Sequence, residues 1–561
     1  MGLLAPTPPP YDPIEWQGLP FARKARMVCR AWAVQGYGTP LGAFALHAFK
    51  VLGYIAAWVW FCSFTPGLGG WSDLPDWWLH PIAFQKAIVW SLMFEVIGLG
   101  CGSGPLTGRY FPPLGGALYF LRPGTTKAPL FAGAPIIGGL RRTWLEVGVY
   151  AALLGCLGWT LVHPAPGLAQ FLPVIVLVAV LGVLDTTTFL AARGEHFWVM
   201  VVCFAFAGNW IAGAKVVALA LWFWAGTSKL NHHFPAVVCV MTSNSPVTRI
   251  PWLRRLMYRD YPNDLNPSPL ATRLAHAGTA LELAVPIVLA LGNGGTVTTV
   301  GLVLAIMLHG YITSNVPMGV PIEWNVVVLY GAFFLFGAHA QVSVFDVGSI
   351  PVAALLVLTT IAIPLLGNLY PARISFLLAM RYYAGNWPCS VWLFRRGAER
   401  RLETGLVRTS PWVYEQLDRF YDRPTSVGLV GKVVAFRLMH LHGRALPLLL
   451  PKAVDDPNEY EWLDGEMVAG MVLGWNFGDG HLHRESLLAA VQAQCGFEEG
   501  ELRCIFLEAQ PMLRGSLHWR VHDAKTGLIQ QGHVSIAELR TLQPWPAEDG
   551  VPEARQASAE S

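Results

Sequence analysis

Apolar stretches long enough to cross a bilayer recur through the first two thirds of this chain, and they constrain its fold more than any other feature. They fall near 41–64, 84–101, 143–163, 171–192, 197–208, 210–228, 272–292, 296–313, 322–339 and 350–368. A helical crossing takes about 20 residues. The stretch at 197–208 is short and reads as a half-helix, so ten crossings is a working count. The expected fold is an all-α polytopic membrane bundle of about ten transmembrane helices over 41–370. Composition agrees, with 53% hydrophobic and only 13% charged residues, against about 25% charged in soluble domains. The 23 tryptophans and 28 phenylalanines suit rings held at headgroup level.

Basic residues orient the bundle. The N-terminal segment carries Arg23, Lys24, Arg26 and Arg30, whereas the loop near 65–83 carries Asp73 and Asp76 and no Lys or Arg. The loop at 102–142 holds Arg109, Arg122, Lys127, Arg141 and Arg142, and the linker at 164–170 is uncharged. Arg193 follows the fourth span, and 229–271 holds Arg249, Arg254, Arg255 and Arg259. Positive loops alternate with neutral or acidic ones, as the positive-inside rule requires. Both termini are therefore expected in the cytoplasm. A net charge of +3 is too small to argue for nucleic acid. Nine scattered cysteines without a Cys-x-x-Cys indicate neither a disulfide framework nor a zinc site. No cleavable apolar core follows the N-terminal prolines, so no signal peptide is expected.

The flanks differ from the bundle. Residues 1–40 interleave Trp16, Leu19, Phe21, Met27 and Trp32 with basic residues, which reads as an interfacial helix on the membrane surface. From about 390 charges become frequent. Residues 428–440 and 503–509 read as buried strands. Leu517, Trp519 and Val521 alternate with His518, Arg520 and His522 as a half-buried strand. Asp523–Gly527 then turns into a second strand over 528–536, and Glu485–Cys495 reads as a helix. Residues 390–548 are thus expected to form a small cytoplasmic α+β domain, and 549–561 a disordered tail.

Ionisable residues inside the apolar stretches locate the chemistry. Lys229 closes the sixth span at its inner end, in Trp222-Phe223-Trp224-Ala225-Gly226-Thr227-Ser228-Lys229-Leu230-Asn231-His232-His233. An ammonium near hydrocarbon costs several kcal/mol, on the order of 3 on insertion scales, so it is paired, snorkelling or functional. Glu95, Glu146, Asp185, Glu282, His309 and Glu323 lie in or at the ends of neighbouring spans, mostly toward the same side. Together they outline a cytoplasm-facing polar pocket. Glu146, Lys229 and Glu323 sit near span ends, where plain snorkelling competes with function. Asp185 and Glu282 each need a partner, because an unpaired carboxylate is costly in apolar surroundings. A buried lysine can serve as a base near neutral pH. The catalytic candidates are Lys229, His309, His233 and Glu282. Asn231, His232, Glu95, Asp185 and Trp224 are the candidates to line a cofactor or substrate. His440-x-His442 and His481-x-His483 place two imidazoles on one strand face without a clear third ligand, so no metal is expected. The glycine-rich Gly98–Gly116 region is no phosphate loop and reads as a re-entrant or interfacial turn.

Ala225-Gly226-Thr227-Ser228-Lys229-Leu230 resembles the lysine motif of the vitamin K-dependent γ-carboxylase-like (HTTM) transmembrane domain. His309 through Ser314-Asn315, then Trp324 to Phe336, is similar to its later segment, and Glu282 before Pro286 fits its glutamate-to-proline helix. The likeness covers about 200–340. It implies that Lys229 deprotonates a reduced quinone, which would be the cofactor or substrate. The whole chain is similar to a bacterial family of multispanning proteins of unknown function. That similarity rests on Phe94–Leu106, Ser228–Pro235 and Pro317–Asn325, and implies a bacterial inner membrane.

Three functions stay open. The first is an enzyme acting on a lipid-soluble substrate such as a quinol, a γ-carboxylase-like oxidoreductase or lyase. The second is a transporter or binding protein for an apolar small molecule or lipid, although no internal repeat of the transporter kind is visible. The third is a membrane scaffold. Membrane lipids are expected partners, and the C-terminal domain offers a surface for a protein partner.

Overall fold

Each of the ten apolar stretches carries a helix in a computed structural model of the chain, which describes residues 3–100, 115–188, 194–245, 248, 250–315, 322–374, 384–474 and 480–546. Among the described residues, six helices are long and apolar enough to cross a membrane: Leu41–Cys62, Trp144–Val162, Trp210–Ser228, Pro269–Leu291, Thr296–Ser314 and Ile350–Leu369. Leu168–Leu184, Glu195–Phe206 and Glu323–Ala338 are apolar but shorter, and Pro81–Val96 has 16 residues. At 1.5 Å per residue, Glu195–Phe206 spans about 18 Å, short of a hydrocarbon core of about 30 Å. Six candidate spans are therefore present among the described residues, seven if the bent pair Arg423–Met439 and His442–Ala453 is one span, and the expected ten are not all long enough to count.

Local chemistry sets the helix ends. Thr143 starts Trp144–Val162 with a reciprocal cap: its hydroxyl accepts from Leu145 N–H, and its own N–H donates to Glu146 Oε2 at 2.6 Å. Such a cap satisfies backbone donors that a helix start leaves open. Ser268 caps Pro269–Leu291, with proline at its first position, where the missing N–H costs nothing. The short connectors after Val162 and Leu291 fold neighbouring helices into antiparallel pairs. Glycine permits the closest approaches. A Cβ on Gly226 would lie 2.7 Å from Leu283 Cδ2, and one on Gly301 would lie 2.7 Å from Leu289 Cδ2.

The C-terminal region is built on a five-stranded antiparallel sheet. Its order is Tyr460–Asp464, Cys389–Arg395, Leu502–Leu507, Ser516–Asp523, Gly527–Ser535. Burial alternates along Ser516–Asp523, and Glu485–Cys495 is helical, both as expected. Asp523 Oδ1 accepts from the N–H groups of Lys525 and Thr526 and so closes the hairpin turn. Residues 428–440 are not a strand. Residues 428–439 belong to the helix Arg423–Met439, which is buried on most sides, and an apolar run without a polar face carries no period to distinguish the two. His440 follows that helix and His442 opens a 3₁₀ turn, while His481 and His483 sit on another. Neither pair lies on a strand.

The N-terminal segment packs on this region. Phe21–Gln35 lies against Arg423–Met439, with Trp32 fully buried 5.8 Å from the Phe436 ring. Lys432 reaches across to the carbonyls of Thr7 (2.8 Å) and Tyr37 (2.9 Å). The apolar face expected at a lipid surface is thus covered by protein. The C-terminal region is also tied to the bundle. Met512 N–H donates to Asn368 O at the end of the last span, and Arg444 donates to Asn266 and to Leu265 O. Arg109, Arg193, Arg249, most of the glycine-rich region, the Pro317–Pro321 break and the tail lie outside the described residues.

Candidate functional site

Two neighbouring spans bring Lys229 and Glu282 together. Lys229 ends Trp210–Ser228, and Glu282 sits mid-way along Pro269–Leu291, where the contact at Gly226 lets the helices close. Lys229 Nζ pairs with Glu282 Oε2, and the side chains are only 9% and 6% exposed. The ammonium also lies 5.4 Å from the centre of the Phe234 ring, in cation–π range. The sequence-level requirement that Glu282 find a partner is met by this lysine.

His309 stands beside the pair, within electrostatic reach of both members. The Trp222 indole donates to His309 Nε2 at 2.9 Å. Indole N–H is only a donor, so Nε2 carries the lone pair and Nδ1 the proton. Nδ1 then donates to Asn325 Oδ1 at 2.8 Å. The ring is held neutral and oriented. Asn325 belongs to a run of three polar contacts at the start of Ile322–Gly331. Glu323 forms an ion pair with Lys50 at 3.1 Å, and Trp324 Nε1 donates to Glu95 Oε1 at 2.7 Å. Three consecutive helical residues point in three directions, about 100° apart. They tie the start of this helix to Lys50, Glu95 and His309, and of these His309 is the one within electrostatic reach of the Lys229–Glu282 pair.

The other candidates go elsewhere. Asp185 accepts from Arg142 at 2.7 and 2.8 Å and from the N–H groups of Ala128 and Thr187. Glu146 pairs with Lys127. These two buried pairs hold the 122–143 connection to helix ends and share no contact with Lys229. Trp224 faces the last span, donating to Thr360 O at 2.7 Å. That carbonyl lies in a π-helical stretch, Leu358–Ala362, where the wider turn disturbs regular pairing. Asn231 bridges two helices: its amide donates to Ser228 O, and its Oδ1 accepts from His233 N–H (2.7 Å) and Phe234 N–H (3.1 Å). His232 is exposed.

His233 points away from Lys229 and into the C-terminal region. Its Nε2 lies 2.9 Å from Gln510 Oε1, and its ring is 6.3 Å from His442. His440 and His442 flank Trp387, at 5.0 and 4.4 Å. Arg437 donates to His442 Nε2 at 3.3 Å and pairs with Asp464 at 2.6 Å. Burial pushes His233 down to about 4 and His440 to about 3, and His442 well below its usual value, with Arg437 adding to the effect at the last two. All three imidazoles are neutral at pH 7. Among the described residues, no group of three or more His, Cys, Asp or Glu side chains is placed to hold a metal.

A family profile of transmembrane proteins of unknown function covers residues 1–556. The chain belongs to the DUF3556 family. No curated protein and no solved structure matches it. Membership agrees with the bundle and carries no reaction with it.

In this DUF3556 chain three further lysines lie inside apolar helices. Lys50 pairs with Glu323. Lys86 donates to Phe61 O at 2.7 Å. Lys215 donates to the carbonyls of His339 (2.9 Å), Ala340 (3.4 Å) and Val342 (2.6 Å), where a π-helical stretch ends. All three had the same readable signal, a lone cation within an apolar run. Lys86 and Lys215 are satisfied by carbonyls, which every sequence supplies.

Proposed function

We propose that this protein is a membrane enzyme acting on a lipid-soluble hydroxyl compound such as a quinol, with Lys229 and Glu282 as its acid–base centre. The observation that carries this is the buried Lys229–Glu282 pair with the oriented, neutral His309 beside it. Lys229 serves as base in its neutral form, which proton transfer to Glu282 within the pair provides. The amine takes the proton of the substrate hydroxyl and becomes ammonium. The oxyanion left behind is stabilised by that ammonium. His309 positions the substrate through its ring and holds no proton to lose at Nε2. The resemblance of Ala225–Leu230 to the γ-carboxylase-like lysine motif supports the same chemistry. The alternation of basic loops supports about ten crossings of a bacterial inner membrane, with both termini and this centre toward the cytoplasm.

A carrier for apolar molecules is the second reading. It is favoured by Glu195–Phe206, a 12-residue helix too short to cross, of the kind that lines binding sites in transporters. Optical spectroscopy separates the two. Protein in bilayers is mixed with a reduced quinone at a pH where the free quinol is neutral. An enzyme base gives the absorbance of the bound quinolate, and Lys229→Met abolishes it. Binding without any quinolate band, equal in wild type and Lys229→Met, assigns the protein to the carrier class.

A further inference from the structure

The connection between Phe120 and Trp144 has an unusual composition for a loop. Residues 128–140, Ala-Pro-Leu-Phe-Ala-Gly-Ala-Pro-Ile-Ile-Gly-Gly-Leu, contain no charged or hydrogen-bonding side chain. Loops in contact with water are ordinarily polar, because apolar side chains there gain nothing from folding. Here Leu130 is 53% exposed, Phe131 57% and Ile136 84%.

The loop is nonetheless built firmly. Both of its ends are locked by the buried ion pairs already described, Lys127–Glu146 and Arg142–Asp185. Lys127 Nζ also donates to Ile137 O at 2.9 Å, and Arg142 lies over the Phe120 ring at 3.9 Å. Leu130 N–H donates to Val183 O, and Ala128 O accepts from Thr186 N–H, which fixes the loop to the end of Leu168–Leu184. Ile136 has φ of +69°, a conformation that a β-branched residue rarely adopts. The fold therefore holds an outward isoleucine in a strained backbone rather than relaxing it inward.

The level of the loop is set by its neighbours. Trp144, 74% exposed, begins the next span, and such rings mark the headgroup region. The loop sits at that same end of Trp144–Val162 and against the same end of Leu168–Leu184. Arg122 and Arg141, both exposed, flank the apolar tip, Arg141 with its Nε donating to Gln494 Oε1 at 2.9 Å, and basic residues there are attracted to anionic headgroups.

We propose that loop 128–140 is a lipid wedge that inserts Leu130, Phe131 and Ile136 into the leaflet adjoining these helix ends, with Arg122 and Arg141 against anionic headgroups. The occupant of this surface is bilayer lipid. The wedge stands independently of the chemistry assigned to Lys229.

Spin labelling tests it. A nitroxide is placed at Ile136→Cys in nanodiscs of phosphatidylcholine and phosphatidylglycerol, with labelling of the unsubstituted chain as background. Phe131→Cys is the second site, in case the first variant folds poorly, and Gln530→Cys, on the exposed sheet hairpin, is the aqueous control. Inserted labels collide with oxygen several-fold more often, relative to a water-soluble nickel chelate, than the control does. Removing phosphatidylglycerol lowers that ratio. Collision ratios at 131 and 136 equal to the control would place the loop in water and overturn the wedge.

Discussion

The pairing of Lys229 with Glu282 makes each residue the reason the other can be buried. Both are nearly shielded, so removing one leaves an uncompensated charge. Lys229→Met is expected to destabilise the protein by about 3–5 kcal/mol, whereas Lys229→Met combined with Glu282→Leu should cost far less, since an apolar pair of similar size replaces the ions. Denaturation of both variants in detergent checks this. Equal losses for the single and double variants would mean that the ions do not interact as described. Each member was readable from the sequence as a charge that interrupts an apolar run, and Glu282 as a carboxylate in need of a partner, but that the two meet was not, because they lie on different helices 53 residues apart. Asp185 was readable as a paired carboxylate but not as a structural one, because its partner, Arg142, lies in a loop 43 residues away. Lys215 and Lys86 interrupt apolar runs just as visibly, but what satisfies them was not legible. Their acceptors are carbonyls, which leave no complementary residue type to look for.

Helix contacts place the pair. Gly226 sits one turn before Lys229, and a Cβ there would also lie 3.3 Å from the Leu283 backbone nitrogen. Gly226→Ala is expected to force Trp210–Ser228 away from Pro269–Leu291, at a cost of about 1–3 kcal/mol, and to weaken the ion pair with it. Gly301→Ala meets Leu289 at the same distance and should cost a similar amount while leaving the quinol response intact. Loss of that response in both variants, or in neither, would separate the pair from this contact. At this scale helices were legible wherever apolar stretches reached crossing length. Arg423–Met439 was misread because it is buried on most sides, so neither a polar face nor a helical period survives in the sequence. Phe21–Gln35 has the pattern of a surface helix, and that pattern is the same whether lipid or another helix covers it.

The bundle and the C-terminal sheet form a joined structure rather than a tethered pair. His233, on the segment that follows Trp210–Ser228, reaches Gln510 and His442 of the C-terminal region, where His440 and Trp387 pack, with Arg437, Asp464 and Glu466 alongside and Arg444 within electrostatic range of His440. The three imidazoles are depressed in the fold below their ordinary value of 6.5. Depressed histidines stabilise the neutral state, so their contribution is complete above about pH 6.5 and is lost as pH falls toward 4, where unfolded histidines take up protons first. The junction should loosen over that window, seen as a falling unfolding midpoint and new proteolytic cuts between the last span and the sheet. A midpoint unchanged from pH 7 to 4.5 would contradict the assignment of three neutral imidazoles. Docking of this kind was not legible in the sequence, where the change in composition near residue 390 marks a boundary and hides the contacts across it.

The most direct measurement is native mass spectrometry with lipid extraction on the detergent-purified protein, comparing wild type with Lys229→Met and with the stability-matched Lys229→Met/Glu282→Leu variant. A ligand centre on this pair predicts a quinone or another apolar small molecule that co-purifies with wild type and is lost from both variants. Bulk phospholipid alone, in equal amounts in all three, would contradict that centre and leave Lys229–Glu282 as a structural ion pair.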